Sequence, residues 1–211
     1  MLVLTIDQKG SRRTGDRVEE LLARLADVPA VRPFERTVGD EVQAVVADAS
    51  TAVRTALDVL RGGGWSVGIG AGGVEVLASS SRASSGRAFV HARDAVTAAK
   101  GRQRPVALAV RGDDPTAAED AEAVLVLLGA LRARRSDAGW QAVDALLTDG
   151  PGQDRVARRL GVTQQAVSQR LRAALWAEEQ AALPTAARLL ERAQGGTGHQ
   201  DEGPGDAAGR G

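Results

Sequence analysis

Apolar residues recur along the chain at both strand and helix spacings. Leu2 to Ile6 (LVLTI) is a short continuous apolar run that stops at Asp7, the pattern of a strand buried on both faces. Val18, Leu21, Leu22 and Leu25 then repeat at helical spacing within 16–25. Phe34 to Thr37 and Val42 to Val46 alternate around Gly39, which predicts two strands and a tight hairpin. Ser50 to Leu60 has helical periodicity, with Ser50 as the expected cap and Gly62 to Gly64 as the stop. Trp65 to Gly70 (WSVGIG) is a strand whose glycines suggest close backbone approach or a bulge. Arg87 to Lys100 predicts a helix and Pro105 to Val110 a strand. The resulting order, β-α-β-β-α-β-α-β, predicts an α+β fold: a ferredoxin-like N-terminal domain over 1–112, with helices on one face of a mixed sheet.

Beyond Gly112 to Pro115 only helical periodicity remains. Thr116 to Arg135 carries Val124, Leu125, Leu127 and Leu128, and Asp137 to Leu147 carries Trp140, Val143, Leu146 and Leu147 inward. Glu178 to Ala193 reads as a last helix interrupted at Pro184. These elements predict an all-α domain over 116–193. The tail 195–211 is rich in Gly, Asp and Glu without an apolar anchor and is expected to be disordered.

Within this half, 153–176 (QDRVARRLGVTQQAVSQRLRAALW) has the pattern of a helix-turn-helix. Small Ala157 lets two helices approach, Gly161 permits a positive-φ turn, and Val167 fills the core between them. Thr163 is a good N-cap, and Ala166, Val167, Leu171 and Leu175 follow at helical spacing. The other face offers Gln164, Gln165, Ser168, Gln169 and Arg172. Amides and hydroxyls read base edges in the major groove, while Arg binds phosphate or guanine. Arg155 and Arg158 add local positive charge, so double-stranded DNA is the expected partner. A purely structural helical hairpin is the alternative.

Composition narrows the classes. The 211 residues suffice for one large or two small domains, and 43% hydrophobic residues allow an ordinary core. Formal net charge is +0, so any contact with DNA must come from a local patch. There are no cysteines, which excludes disulfides and thiolate metal sites. No apolar run is long enough to span a membrane and no secretory signal opens the chain, so a cytoplasmic location is expected.

A second candidate site lies in the N-terminal half. Asp7 ends the first strand and Asp40-Glu41 sit in the hairpin, where neighbouring strands bring carboxylates to one edge. Such a cluster needs a cation, and Mg²⁺ held between carboxylates and phosphate oxygens is the usual solution. Turn-forming Asp40 and a loop-capping Asp7 are the structural alternative.

At Asp7, at Arg36-Thr37-Val38-Gly39-Asp40, at Trp65 to Gly73 and at Gly86-Arg87-Ala88-Phe89, the domain resembles the palm of class III nucleotidyl cyclases and, more distantly, diguanylate cyclases. The resemblance implies Asp7 and Asp40 as metal ligands, and Arg36, Asp40 and Glu41 at a purine nucleotide. It departs where cyclases carry an Asn and an Arg one helical turn later, because Val90 and Asp94 stand at that spacing here. The palm therefore reads as degenerate. With Gly10-Ser11-Arg12, the Gly-Asp-Glu hairpin and the C-terminal helix-turn-helix, residues 1–180 resemble the SatD family.

The leading expectation is a DNA-binding transcription regulator acting as a homodimer, because one helix-turn-helix buries too little surface for tight specific binding. Its palm senses a nucleotide or serves in dimerisation. The alternatives are an active nucleotidyl cyclase or nucleotidyltransferase, and a protein-interaction adaptor. His91 and His199 lack ligand spacing, so neither is expected to hold a metal.

Overall fold

The computed structural model describes residues 1–101 and 104–195; the expected tail disorder and His199 fall outside them. The protein is α+β. Along the chain run β1 (Leu2–Gln8), α1 (Ser11–Thr14), α2 (Val18–Leu25), β2 (Arg32–Arg36), β3 (Glu41–Val46), α3 (Ala49–Arg61) and β4 (Trp65–Ala71). They are followed by α4 (Arg87–Ala99), β5 (Leu108–Gly112), α5 (Pro115–Ala133), α6 (Asp137–Asp149), α7 (Gln153–Leu160), α8 (Gln164–Ala173) and α9 (Trp176–Ala193).

The five strands form one mixed sheet in the order β2-β3-β1-β4-β5. β1 lies antiparallel between β3 and β4, with Asp7 opposite Glu41 on one side and Ser66 on the other. β5 joins parallel to β4 after the α4 crossover. The hairpin forms where glycine predicts it: Gly39 has φ 62, and Glu41 N–H donates to the Val38 carbonyl at 3.1 Å.

Helices cover both faces of the sheet, not one. Leu2, Leu4 and Ile6 point to a core closed by α2, α3, α5 and α9. Val3 and Val45 point to the opposite face, where Ala88, Phe89 and Ala92 of α4 pack. The glycines of β4 explain how α4 fits there. A Cβ on Gly68 would lie 2.2 Å from the Val96 nitrogen, and one on Gly70 would lie 2.0 Å from the Ala88 oxygen. The Ala-rich face of α4 thus rests directly on the strand backbone.

The cores do not follow the division at 112 and 116 expected from periodicity. Leu125 and Leu128 of α5, and Leu183, Ala186 and Leu190 of α9, belong to the main sheet core. Of the helices after β5, α6, α7 and α8 build a cluster of their own, around Val143, Val156, Val167 and Leu171. α9 also runs unbroken through Pro184. That residue is exposed, so the hydrogen bond it cannot donate lies toward solvent, and burial of the residues beyond it holds the helix.

The open edge at β5 is closed by side chains. Glu122 of α5 accepts from Val110 N–H at 2.9 Å, while Arg104 donates to the Leu108 carbonyl at 3.0 Å. Both guanidiniums, Arg104 and Arg111, pair with Glu122. Strand groups that would otherwise recruit a further strand are thereby satisfied.

Candidate nucleic-acid interface and the acidic corner

The α7–α8 corner is built from local signals. α7 ends at Gly161, whose φ of 64 is the left-handed conformation, and no atom lies within 4 Å of a Cβ placed there. The glycine therefore serves the backbone angle and not a lack of space. Val162 N–H returns to the Ala157 carbonyl at 3.0 Å, which closes the helix end. The Thr163 hydroxyl then accepts from Ala166 N–H at 3.2 Å and opens α8. Val156, Ala157, Val167 and Leu171 meet Ala142, Val143 and Ala145 of α6 in one small core.

This packing leaves the polar face of α8 turned outward. Gln164, Gln165, Gln169 and Arg172 are exposed and Ser168 is half-buried. Arg155 and Arg158 on α7 are exposed too. The Arg155 guanidinium lies over the Gly150–Gly152 turn, within 3.2 Å of where a Cβ on either glycine would stand. Among the described residues Arg155, Arg158 and Arg172 make no ion pair, whereas Arg159 is held by Asp149 at 2.8 Å. Leu175, expected in the core, is exposed instead. It takes φ 50, a left-handed angle costly for a branched side chain, and separates α8 from α9.

What holds this corner onto the sheet was not visible in sequence patterns. Trp140 of α6 lies between two guanidiniums, Arg61 of α3 at 3.6 Å and Arg135 at 4.4 Å from its ring centre. Arg61 also grips Asp144 through two bonds of 2.7 and 2.6 Å. Behind the ring, Arg135 donates to the Ala174 carbonyl at the end of α8 and pairs with Glu179, and both of these ionic side chains are fully buried. Arg132 bridges the same Glu179 at 2.7 Å to Asp58 of α3 at 2.6 Å. Pairs this distant in sequence carry no local signature.

The acidic corner forms where the sequence places it, with Asp7 and Glu41 already engaged and Asp40 half-buried without a side-chain partner among the described residues. Asp7 and Glu41 are opposite each other across β1 and β3. Asp7 receives the Lys100 ammonium from the end of α4 at 2.7 Å. Its pKa is nonetheless raised: burial is the main cause, outweighing the Lys100 bond and attraction, and Asp40 and Glu41 push the same way. Glu41 accepts from the Thr37 hydroxyl at 2.6 Å. Arg36 reaches Asp16 at 2.8 Å, Glu19 at 3.5 Å and the Gly39 carbonyl at 3.3 Å.

As arranged, these donors do not fit a divalent ion: an ammonium stands against the Asp7 carboxylate. Among the described residues no group of three His, Asp or Glu side chains is disposed to hold a metal. His91 makes a different contact. Its Nε2 lies 3.0 Å from Asp113, a largely buried carboxylate that also meets Arg87 at 3.0 Å.

No helix among the described residues is long and apolar enough to cross a membrane. Comparison with known protein families, curated proteins and solved structures returned no significant match.

Proposed function

We propose that the protein is a sequence-specific DNA-binding transcription regulator of the cytoplasm, in which α6, α7 and α8 form the reading unit. The observation that carries this is the α8 surface. Its amides and guanidinium are exposed, its Ser168 hydroxyl is half-buried, and Arg172 makes no ion pair among the described residues, on a helix whose opposite face is locked by a glycine turn and a threonine cap. In this reading Gln164, Gln165, Ser168 and Gln169 face base edges and Arg155, Arg158 and Arg172 face phosphates. The resemblance of residues 1–180 to the SatD family points the same way.

The sheet is read as a ferredoxin-like palm that has become a scaffold. Asp7, Glu41 and Arg36 are occupied by Lys100, Thr37 and Asp16, which weighs against Mg²⁺-dependent nucleotide chemistry at that corner, and the scaffold is read as serving in dimerisation. A homodimer then presents two copies of α8 about one or more helical turns of DNA apart. Selection of bound duplexes from a random library tests the proposal. Enrichment of a site with two related half-sites is the expected result, and a library that yields no enriched duplex would remove the reading.

A further inference from the structure

Two cavities of similar size flank the sheet, and their charges differ. The one beside β5, about 680 Å³, is lined by Arg104 and Arg111, but both pair with Glu122 and a second acid, Glu119, lines the same cavity. The other, about 670 Å³, lies between α2, α3 and the end of α6. Leu25, Val28, Pro29 and Leu147 give it an apolar floor. Leu147 is 63% exposed on a helix otherwise packed inward, and the cavity is what it faces. At its rim stand Arg24 and Arg54, which make no ion pair and no side-chain hydrogen bond among the described residues. Two acids also line the cavity: Asp58 is committed to Arg132, and Asp27 offsets one of the two charges of Arg24 and Arg54. An apolar floor with two arginines at the rim that make no ion pair among the described residues is the chemistry of a site for a small amphipathic anion, and the volume is in the range of such sites.

We propose that this second cavity binds a small organic anion, one phosphate, sulfonate or carboxylate group joined to a compact apolar part. The charged group meets Arg24 and Arg54 and the apolar part covers Leu147 and Val28. The cavity is lined by the same side chains that fasten the reading unit. Arg61 faces it while stacking on Trp140 and holding Asp144, and Asp58 faces it while holding Arg132. A ligand there touches α3 and α6 together, so its occupancy biases how α6–α8 sits on the sheet. This regulatory half rests on the DNA-reading proposal; the binding half does not.

The test uses the full chain, 8-anilinonaphthalene-1-sulfonate as the probe, and no DNA. In a titration followed by amide NMR, shifts should gather at Val28, Gly62 and Leu147. Replacing Arg24→Gln and Arg54→Gln together should weaken the probe about tenfold, with the exposed positions leaving the fold intact. Arg111→Gln should leave its affinity unchanged. Exposed Leu127 and Leu175 line a separate cavity, and shifts centred there, or an affinity indifferent to the paired substitution, would overturn the site. DNA affinity measured with and without saturating probe then tests the coupling, which must be reciprocal. An unchanged DNA affinity removes the coupling alone, and a protein that takes the probe but binds no DNA removes the reading unit's role while the anion site stands.

Discussion

The α8 surface and the acidic corner at Asp7 are both polar clusters set on a well-formed scaffold, and they differ in what their side chains do. On α8, Gln164, Gln165, Gln169 and Arg172 face solvent, and among the described residues no carboxylate pairs with the arginine. At the corner, Asp7, Glu41 and Arg36 each have a partner within the chain. A group that already has its counter-ion gains little from a ligand, because binding must first break what exists. Groups left in water by an otherwise closed fold are the ones available for recognition. On the proposed reading, the difference gives the recognition role to the helices and the supporting role to the corner.

The largest effect is expected at the buried ion pairs that fasten α6–α8 to the sheet. Glu179→Ala leaves Arg135 buried without its counter-charge, and truncating one partner of a buried pair costs about 3–5 kcal/mol. Denaturant unfolding should show that loss. A change below about 1 kcal/mol would mean that Arg135 and Arg132 find other partners, and that the junction is looser than described.

The second prediction concerns α7 and α8 alone. Gln165→Ala should relax sequence preference with a loss of about 1–3 kcal/mol in DNA affinity, while Arg158→Ala should weaken all duplexes alike. Neither should move the unfolding midpoint, because both side chains are exposed. Equal losses on every sequence for Gln165→Ala would assign it to the backbone and not to a base.

The third and fourth predictions concern the corner, where smaller effects are expected. Lys100→Met should cost about 1 kcal/mol or less, since the lysine is 45% exposed and its pairing is partly screened. The wild-type protein should not bind Mn²⁺ in a paramagnetic resonance titration. Binding that disappears in Asp7→Asn would reinstate a cation site and erase the contrast with α8. The pH dependence is the finest probe. Because the folded-state pKa of Asp7 is raised, the folded state holds that proton more tightly than the unfolded chain does. Ionisation of Asp7 therefore takes away stability as pH rises from its ordinary value through its raised one. Asp7→Asn should flatten that part of the stability profile, leaving the acid loss from groups with lowered pKa. These include Asp48, held down by its Thr51 bonds, and Glu122, whose burial is outweighed by Val110 N–H, Arg104 and Arg111.

Much of the local structure was legible, for physical reasons that differ by element. The α7–α8 turn is specified within a few residues by Gly161, Val162 and Thr163, and so it could be read. The buried β1 and the hairpin at Gly39 are likewise local. The cap of α3 was misplaced by two positions, because Asp48 and not Ser50 accepts from Thr51 N–H. β5 begins at Leu108 where pairing with Val67 begins, later than the apolar run at Pro105 suggests. Leu127 and Leu147 fit a helical stripe yet are 70% and 63% exposed, since periodicity cannot tell which part of a wide stripe a neighbour covers. Helices on both faces also went unread, because a stripe of alanines on α4 looks weak until Gly68 and Gly70 allow it to touch the sheet.

The candidate sites divide in the same way. The α8 surface was readable because a helix determines which of its own residues point outward. The engagement of Asp7 was not, because Lys100 lies 93 positions away along the chain. The grip of Arg61 on Asp144 spans 83 positions and was equally hidden.

Contact of α8 and the flanking arginines with DNA, as proposed, is read out by the salt dependence of duplex binding. Wild-type affinity should fall linearly with salt on logarithmic axes, and Arg158→Ala should reduce the slope by about 0.9, the contribution of one phosphate contact. A chain that binds no duplex at low salt, or one whose slope is unmoved by Arg158→Ala and Arg172→Ala together, would contradict the assignment of this face to DNA.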